Sequence, residues 1–112
     1  MLKKALRLGR ADLAKIFRSK TRSFRGKIVS VKVFRNGKFI NRFAFIVSGP
    51  KNRGAALRNL ARRRMAEAAK SFLKTIPAGR DVVFFIKLSE RKSPSFTEIR
   101  EDIKYVLAQN IF

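Results

Sequence analysis

The sequence predicts an α+β domain, a two-layer sandwich whose elements follow the order αββαβα. Two kinds of segment support this fold class: three runs rich in β-branched and aromatic residues, and three segments in which apolar residues recur at helical spacing. The chain has 112 residues, of which 46% are hydrophobic, and this is enough for one modest core. Because no internal repeat or low-complexity tract interrupts it, we interpret residues 1–112 as a single domain.

The first helix is predicted at about residues 11–19. Leu13, Ile16 and Phe17 lie at helical spacing between basic residues, so the segment is short and amphipathic.

Two strands are predicted at 27–34 and 38–48. Asn36-Gly37 lies between them, which is the strongest short-range signal for a two-residue hairpin turn. That register places Phe34 opposite Phe39 and gives the hairpin two different faces. One face holds the bulky core side chains, Ile28, Phe34, Phe39, Phe43, Phe45 and Val47. The other is a shallower predicted floor, suited to a groove, made of Val29, Val31, Val33, Ile40, Arg42, Ala44, Ile46 and Ser48.

A second helix is predicted at about 55–74, after a basic loop with glycine and proline. Its apolar stripe consists of Leu57, Ala61, Met65, Ala68 and Phe72. The opposite side is almost purely basic and carries Arg58, Asn59, Arg62, Arg63 and Lys70. Because Glu67 is the only acid on this helix, pairing along the helix cannot neutralise the arginines.

The last two elements are a strand and a third helix. Residues 81–88 are apolar on both faces, which predicts a strand in the interior of the sheet. Ser95 and Glu98 form a capping-box pattern that opens the third helix. Phe96, Ile99, Ile103, Val106 and Leu107 give that helix its apolar stripe.

Positive charge dominates the composition and is unevenly distributed. The chain has 28 Lys and Arg against 7 Asp and Glu, a formal net charge of +21, and residues 1–64 carry 20 of the basic residues and one acid. A folded domain with this charge attracts polyanions. We interpret the partner as nucleic acid, because the basic residues are spread over strands and helices and do not form one membrane-binding amphipathic helix.

Several kinds of chemistry are excluded or poorly supported. The chain has no cysteine and no histidine, which removes thiolate nucleophiles, imidazole bases and Cys/His zinc sites. Glu98, Glu101 and Asp102 could in principle hold a divalent ion on the third helix, but we interpret them as a solvent face. We therefore expect no catalytic residue and no metal site in the protein.

The cellular setting is predicted from the apolar runs. The longest, VVFFI at 82–86, is far shorter than the ~20 residues that a membrane span needs. The first ten residues lack a signal-peptide core, so we expect a cytoplasmic protein with no membrane partner.

The basic residues favour a phosphate backbone as ligand. Arginine's planar fork donates two hydrogen bonds at once, and arginines one turn apart on a helix can follow such a backbone. Phe17 could stack on an unpaired base, although a phenylalanine at this spacing is also typical of a core position. These features do not separate DNA from RNA.

The order of the motifs resembles that of one family, the protein component of bacterial ribonuclease P. Its hallmark is a strand of RFGFVVS type followed by a helix that reads R-N-R-x-K-R-x-x-R-E. Here RFAFIVS at 42–48 precedes RNLARRRMAEAAK at 58–70, and SPSFTEIREDI follows at 93–103. The segments Leu8–Phe17 and Pro77–Val83 extend the resemblance nearly from end to end.

The resemblance implies that this chain is the accessory subunit of an endoribonuclease whose RNA is the catalyst. In that family the subunit assists maturation of the tRNA 5′ end, with Mg²⁺ held mainly by the RNA and, by expectation, one protein per RNA. The helix residues that would bind the catalytic RNA are Arg58, Asn59, Arg62, Arg63 and Lys70. The residues that would bind the 5′ leader of precursor tRNA are Phe17, Val31, Arg42, Ser48 and Lys51.

The resemblance also implies a fold like domain 2 of ribosomal protein S5, with an unusual left-handed βαβ crossover. Four positions depart from the family pattern. Leu60 replaces the second arginine of the helix motif, Ala66 replaces a basic residue, Leu13 replaces a phenylalanine, and Val31 stands where the floor can carry an aromatic residue. These departures bear on individual RNA contacts.

Two other functions compete with this interpretation. Charge alone would also suit a structural RNA-binding protein, such as a small ribosomal protein. The acids of the third helix would be needed for a metal-dependent nuclease that acts without an RNA cofactor.

Overall fold

The computed structural model describes residues 7–18, 23–49, 54–88 and 93–109. It contains three α-helices, four strands and one short 3₁₀ turn within these ranges. In chain order these are α1 (Arg10–Arg18), β1 (Ser23–Arg25), β2 (Val29–Arg35), β3 (Arg42–Ser48), α2 (Ala55–Lys70), the 3₁₀ turn (Leu73–Thr75), β4 (Arg80–Lys87) and α3 (Phe96–Ala108). The predicted α+β class is confirmed, and the short strand β1 is an addition to the predicted order.

The four strands form one sheet in the order β1-β2-β4-β3. β4 lies between β2 and β3, which confirms its predicted interior position; it is antiparallel to β2 and parallel to β3. Two parallel strands need a long crossover connection, and α2 makes that connection from β3 to β4. The handedness of this crossover, left-handed by resemblance, stays a prediction.

The predicted hairpin between β2 and β3 is wrong. Each of these strands pairs with β4, so Val31 lies opposite Phe84 and Arg42 lies opposite Asp81. Gly37 does adopt the left-handed conformation, with φ of 70°, but the turn belongs to a longer loop that crosses the end of β4. A turn signal reports only local geometry, whereas the pairing was decided by a distant strand that is apolar on both faces.

This error reverses the face assigned to β2. Val29, Val31 and Val33 share a face with Phe43, Phe45 and Val47 of β3, because alternate residues of neighbouring strands point the same way. Val31 therefore lies in the core, fully buried, and its placement on the predicted floor is wrong. Phe39, predicted to be a core residue, is 98% exposed.

The main core lies between this face of the sheet and the layer formed by α2 and α3. Ala61, Met65 and Ala68 of the α2 stripe are buried there, as are Ile99, Ile103 and Val106 of α3. In the centre, the rings of Phe45 and Phe84 stack with centroids 5.2 Å apart. Full burial of a side chain such as Phe84 contributes about 2–3 kcal/mol, so this layer accounts for much of the stability.

The start of α3 follows from capping chemistry. Ser95 caps α3 through its hydroxyl, which accepts from the Glu98 amide, while the Glu98 side chain accepts from the Ser95 amide. The predicted capping box is thus confirmed. α2 ends at Lys70, earlier than predicted, and a 3₁₀ turn then leads the chain towards Pro77.

The other side of the sheet, here called the open face, is covered only in part. It carries Ser30, Lys32, Phe34, Arg42, Ala44, Ile46, Ser48, Asp81, Val83, Phe85 and Lys87. α1 lies on this face, where Leu8 and Ile16 are buried against Ala44 and Val83. The contacts of Leu8 and Ile16 do not cover the part of the open face that lies near the start of β2.

Candidate nucleic-acid interface

The basic face of α2, defined as Arg58, Asn59, Arg62, Arg63 and Lys70, lies on the side of the helix away from the core. Asn59, Arg62 and Arg63 are exposed, and Arg58 is half-buried near the end of β3, where its Cδ would lie 3.9 Å from a methyl group added at Gly49. Arg58 and Lys70 are twelve positions apart, which corresponds to about 18 Å along an α-helix. The face is therefore long enough to contact several consecutive phosphates.

Lys70 and Arg64 of α2 are engaged within the protein. Lys70 forms an exposed ion pair with Glu67 at 3.2 Å, which is easily exchanged for another partner because exposed pairs contribute at most about 1 kcal/mol. Arg64 donates from Nη1 to the carbonyl oxygen of Pro94 at 3.0 Å, and so joins α2 to the start of α3. The outward charge of the helix is therefore concentrated on Arg62 and Arg63, with Arg58 at its N-terminal end.

A groove of about 470 Å³ lies on the uncovered part of the open face. Phe85 and Val83 line it together with Ser30, and its basic residues are Arg25, Lys27, Lys32 and Lys87. An apolar base with cations around it suits a single nucleic acid strand, whose bases can contact the apolar surface while the phosphates meet the cations.

Sequence reasoning placed the groove on the predicted floor and so missed most of its residues. β1 was not predicted, and the assumed hairpin placed Val29, Val31 and Val33 on the floor, the face that Ser30 and Lys32 occupy in the structure. One signal was available: the alternation of Val29, Ser30, Val31, Lys32 and Val33 is typical of a strand with one buried and one polar face.

The five residues predicted to bind a leader are not brought together as a set. Ser48 lies on the open face opposite Lys87, at the groove end of the sheet. Val31 lies on the opposite face in the core, so the placement that supported its role is wrong. Lys51 lies outside the described residues, as does the side chain of Phe17, whose backbone belongs to α1.

Arg42 lies on the open face, but its charge is engaged within the protein. Its guanidinium donates from Nε and Nη2 to both carboxylate oxygens of Asp81, at 3.0 and 2.8 Å. Nη1 lies 3.3 Å from Asp12, an ion pair that joins α1 to the sheet. The hydrogen bond to Asp81 is the main reason that the pKa of Arg42 is raised. Arg42 therefore positions α1 beside the open face, and its guanidinium is poorly placed to follow a phosphate backbone.

Asp102 is the second buried acid with a structural role. Its carboxylate accepts hydrogen bonds from three consecutive backbone amides, those of Lys27, Ile28 and Val29, at 2.7–2.9 Å. Gly26 precedes them, and a side chain there would collide with the carboxylate oxygens of Asp102. The interpretation of Asp102 as a solvent-facing acid is wrong: it fastens the β1–β2 turn, which lines the groove, to α3.

The described acids are not arranged to hold a metal ion. The described residues include no group of three acids, histidines or cysteines that could hold one. Asp81 and Asp102 use their oxygens for Arg42 and for backbone amides, and Glu98 is occupied in the capping box. In addition, none of the described helices is both long and apolar enough to cross a membrane.

The arrangement of basic helix, groove and α1 can be compared with known proteins. The model of the family described as Ribonuclease P matches residues 2–110. The chain belongs to the ribonuclease P protein family. A ribonuclease P protein component from Chloroflexus aurantiacus is 33% identical over 108 residues, which cover 96% of this chain and 79% of that protein.

Solved structures of ribonuclease P proteins have the same fold. The protein from Staphylococcus aureus superposes with a TM-score of 0.73 at 24% identity, covering 97% of this chain and 99% of that one. The protein from Thermotoga maritima superposes with a TM-score of 0.71 at 26% identity, covering 90% and 94%. Membership of the ribonuclease P protein family implies a role in a ribonuclease complex, an RNA partner and a part in tRNA processing.

Proposed function

We propose that this chain is the protein subunit of a ribonuclease P in which the RNA performs the catalysis. The protein binds the catalytic RNA through the basic face of α2 and binds the 5′ leader of precursor tRNA on the open face. The observation that carries the proposal is the exposure of Arg62 and Arg63 on a helix whose only acid is Glu67, in a chain that belongs to this family.

The leader site is proposed for the groove of the open face. Its apolar base is Phe85, which lies among the cations of Arg25, Lys27, Lys32 and Lys87. A single-stranded leader fits this combination better than a duplex, because its bases can reach the sheet surface. Ser48 adds a hydroxyl at the edge of this site.

Hydrolysis is assigned to the RNA partner and its magnesium ions. Asp81 and Asp102 are engaged in an ion pair and in backbone hydrogen bonds, and the described residues include no group of three acids that could hold a catalytic ion. The protein's contribution is to neutralise phosphate charge, which lets the catalytic RNA and its substrate approach at low magnesium. We expect one protein per RNA and a cytoplasmic complex.

Reconstitution tests the proposal. Ribonuclease P RNA at low magnesium should cleave precursor tRNA much faster when the protein is added, and the protein alone should cleave nothing. No gain in rate would contradict the proposal. Cleavage by the protein without RNA would instead support a nuclease of its own.

The groove can be tested separately by comparing tRNA that carries the leader with tRNA that lacks it. Arg25→Ala combined with Lys87→Ala should lower the affinity of the reconstituted complex for precursor tRNA severalfold, because two exposed cations are lost from the groove. Affinity for mature tRNA, which lacks the leader, should change little. Lys104→Ala on α3 is the matched control. Equal losses with and without a leader would favour a structural RNA-binding role.

A further inference from the structure

A buried carboxylate on α3, that of Asp102, is bonded to backbone that lines the groove of the open face. Asp102 is 7% exposed and belongs to the helical layer on the other side of the sheet, so it is not itself a lining residue. Its oxygens accept from the amides of Lys27, Ile28 and Val29 at 2.9, 2.8 and 2.7 Å. A buried charge is costly unless it is bonded in this way, so the carboxylate and the three amides fix one another.

The backbone that Asp102 holds forms one side of the groove, here called the β1–β2 wall and defined as residues 25–28. Two of the groove's cations, Arg25 and Lys27, belong to this wall, and both side chains are exposed. A third, Lys87, belongs to β4. The separation between these cations, and their height above Phe85, therefore depends on where the wall stands.

Few other contacts hold the β1–β2 wall. β1 is an edge strand that pairs with β2 over three residue pairs. One further backbone hydrogen bond closes the turn, from the Gly26 amide to the carbonyl oxygen of Val29 at 2.8 Å, and the side chains of Phe24 and Ile28 are only partly buried against the main core. Because so short a ladder is marginal by itself, the three hydrogen bonds to Asp102 are a main determinant of where the wall stands.

The fit at Gly26 shows how closely the wall approaches the carboxylate. A Cβ at this position would collide with both carboxylate oxygens of Asp102. The carboxylate cannot move aside without breaking its hydrogen bonds to the next three amides. A side chain at position 26 therefore has to push the wall away from α3, although it changes no charged group of the groove.

We propose that Asp102 is a positioning residue of the leader groove. By holding the β1–β2 wall from the far side of the sheet, it sets the place of Arg25 and Lys27 relative to the apolar base at Phe85, and so determines how tightly a single strand binds. It acts through backbone amides and does not contact the strand. The inference rests on the proposed function, which makes the groove the leader site. Without Asp102 the cations remain on the chain, but ordering them on the ligand costs conformational entropy.

The conservative variant Asp102→Asn tests the positioning. Asparagine keeps one acceptor oxygen and replaces the other with an amide donor, so part of the wall loses its acceptor. In the reconstituted complex this variant should bind leader-bearing precursor tRNA about fivefold more weakly, and mature tRNA as before. The cleavage rate at saturating precursor should stay constant, because only binding is affected.

Val106→Ala is the matched control for a general loss of stability. Val106 is fully buried on the same helix, in the main core, and does not line the groove. This variant should be less stable than the wild type and should still distinguish precursor from mature tRNA. If Asp102→Asn weakened the binding of both tRNAs equally, as a merely structural residue would, the proposal would be overturned.

A double-mutant cycle identifies the side chains that Asp102 positions. In a background of Arg25→Ala with Lys27→Ala, the change Asp102→Asn should weaken precursor binding by less than about twofold, because the cations of the wall are already gone. In a Lys87→Ala background it should keep its full effect, since Lys87 belongs to β4. Equal effects in both backgrounds would contradict the proposal.

Gly26→Ala gives a second route to the same state while Asp102 and every charged side chain of the groove are kept. It should reproduce the leader-dependent loss of affinity, because the added methyl group displaces the wall. Wild-type binding of precursor tRNA by a folded Gly26→Ala variant would overturn the proposal.

Binding of oligouridylate to the full chain alone separates this inference from the proposed function. If the wild type bound precursor and mature tRNA equally, the leader site would be wrong. The positioning role would then be decided by oligouridylate. A loss in Asp102→Asn that disappears in the Arg25→Ala, Lys27→Ala background would support it, and an unchanged affinity would overturn it.

Discussion

The arginines on the outer face of α2 and Arg42 at the start of β3 carry the same charged group but have opposite roles. Arg62 and Arg63 are exposed on a helix with one acid, whereas Arg42 is bound by Asp81 and Asp12. Arg62 and Arg63 can exchange their solvent contacts for phosphate contacts at little cost in free energy. Arg42 would have to give up the buried carboxylate of Asp81. A net charge of +21 therefore overstates how much of the chain can bind RNA, because position decides which cations are available.

The largest expected effect comes from breaking the interior pair. Arg42→Ala should lower the free energy of unfolding by about 3–5 kcal/mol, because the carboxylate of Asp81 would be left buried without its cation. The measurement is urea denaturation followed by circular dichroism. Arg62→Ala is the matched control and should change stability by less than about 0.5 kcal/mol.

Combining Arg42→Ala with Asp81→Ala sharpens the same comparison. The double variant should lose less than the sum of the two single losses, because removal of both partners leaves no buried charge unpaired. Additive losses would mean that the two side chains do not act as a pair.

A somewhat smaller loss is expected at the other buried acid. Asp102→Ala should lower the free energy of unfolding by about 3 kcal/mol, since the amides of Lys27, Ile28 and Val29 lose their acceptor. Glu101→Ala, on the exposed side of α3, should have almost no effect. Denaturation midpoints compare the two, and equal midpoints would refute the structural role of Asp102.

The outer face of α2 should show the reverse behaviour, with an effect on binding and none on folding. Affinity of the wild type for RNA should fall by roughly 10³–10⁵ between 50 and 200 mM salt if six to ten phosphates are neutralised. Arg62→Ala with Arg63→Ala should flatten that salt dependence by about two phosphates while the melting temperature stays constant. A collapse of the melting temperature would show that these arginines are structural and that the two regions do not differ.

The helices were predictable because their signals are local. The apolar stripe of α2, the basic face opposite it and the Ser95–Glu98 capping box all follow from residues three or four positions apart. The interior position of β4 was also predictable, since a strand that is apolar on both faces must be covered on both faces. The motifs of the ribonuclease P protein family were recognisable because they, too, are short local patterns.

The candidate site was predicted less well than the fold. Arg62 and Arg63 are exposed as their helical positions required, but the groove lies beside residues that were assigned to the core face of a hairpin or to no strand at all. A shift of one residue in strand pairing moves a whole set of side chains to the opposite face. Val31 faces the core because β2 pairs with β4 and not with β3, and Phe39 is exposed because it lies in the loop before β3.

By itself the sequence determined the helices, their basic and apolar sides, the burial of β4 and the attraction to a polyanion. The tertiary structure alone decided that β4 separates β2 from β3, that Arg42 and Asp102 serve the fold, and that Phe39 points into solvent. The reason is physical: helical periodicity acts over one or two turns of chain, whereas the pairing of β4 with its neighbours and the hydrogen bonds of Asp81 and Asp102 join residues that are 39 to 75 positions apart.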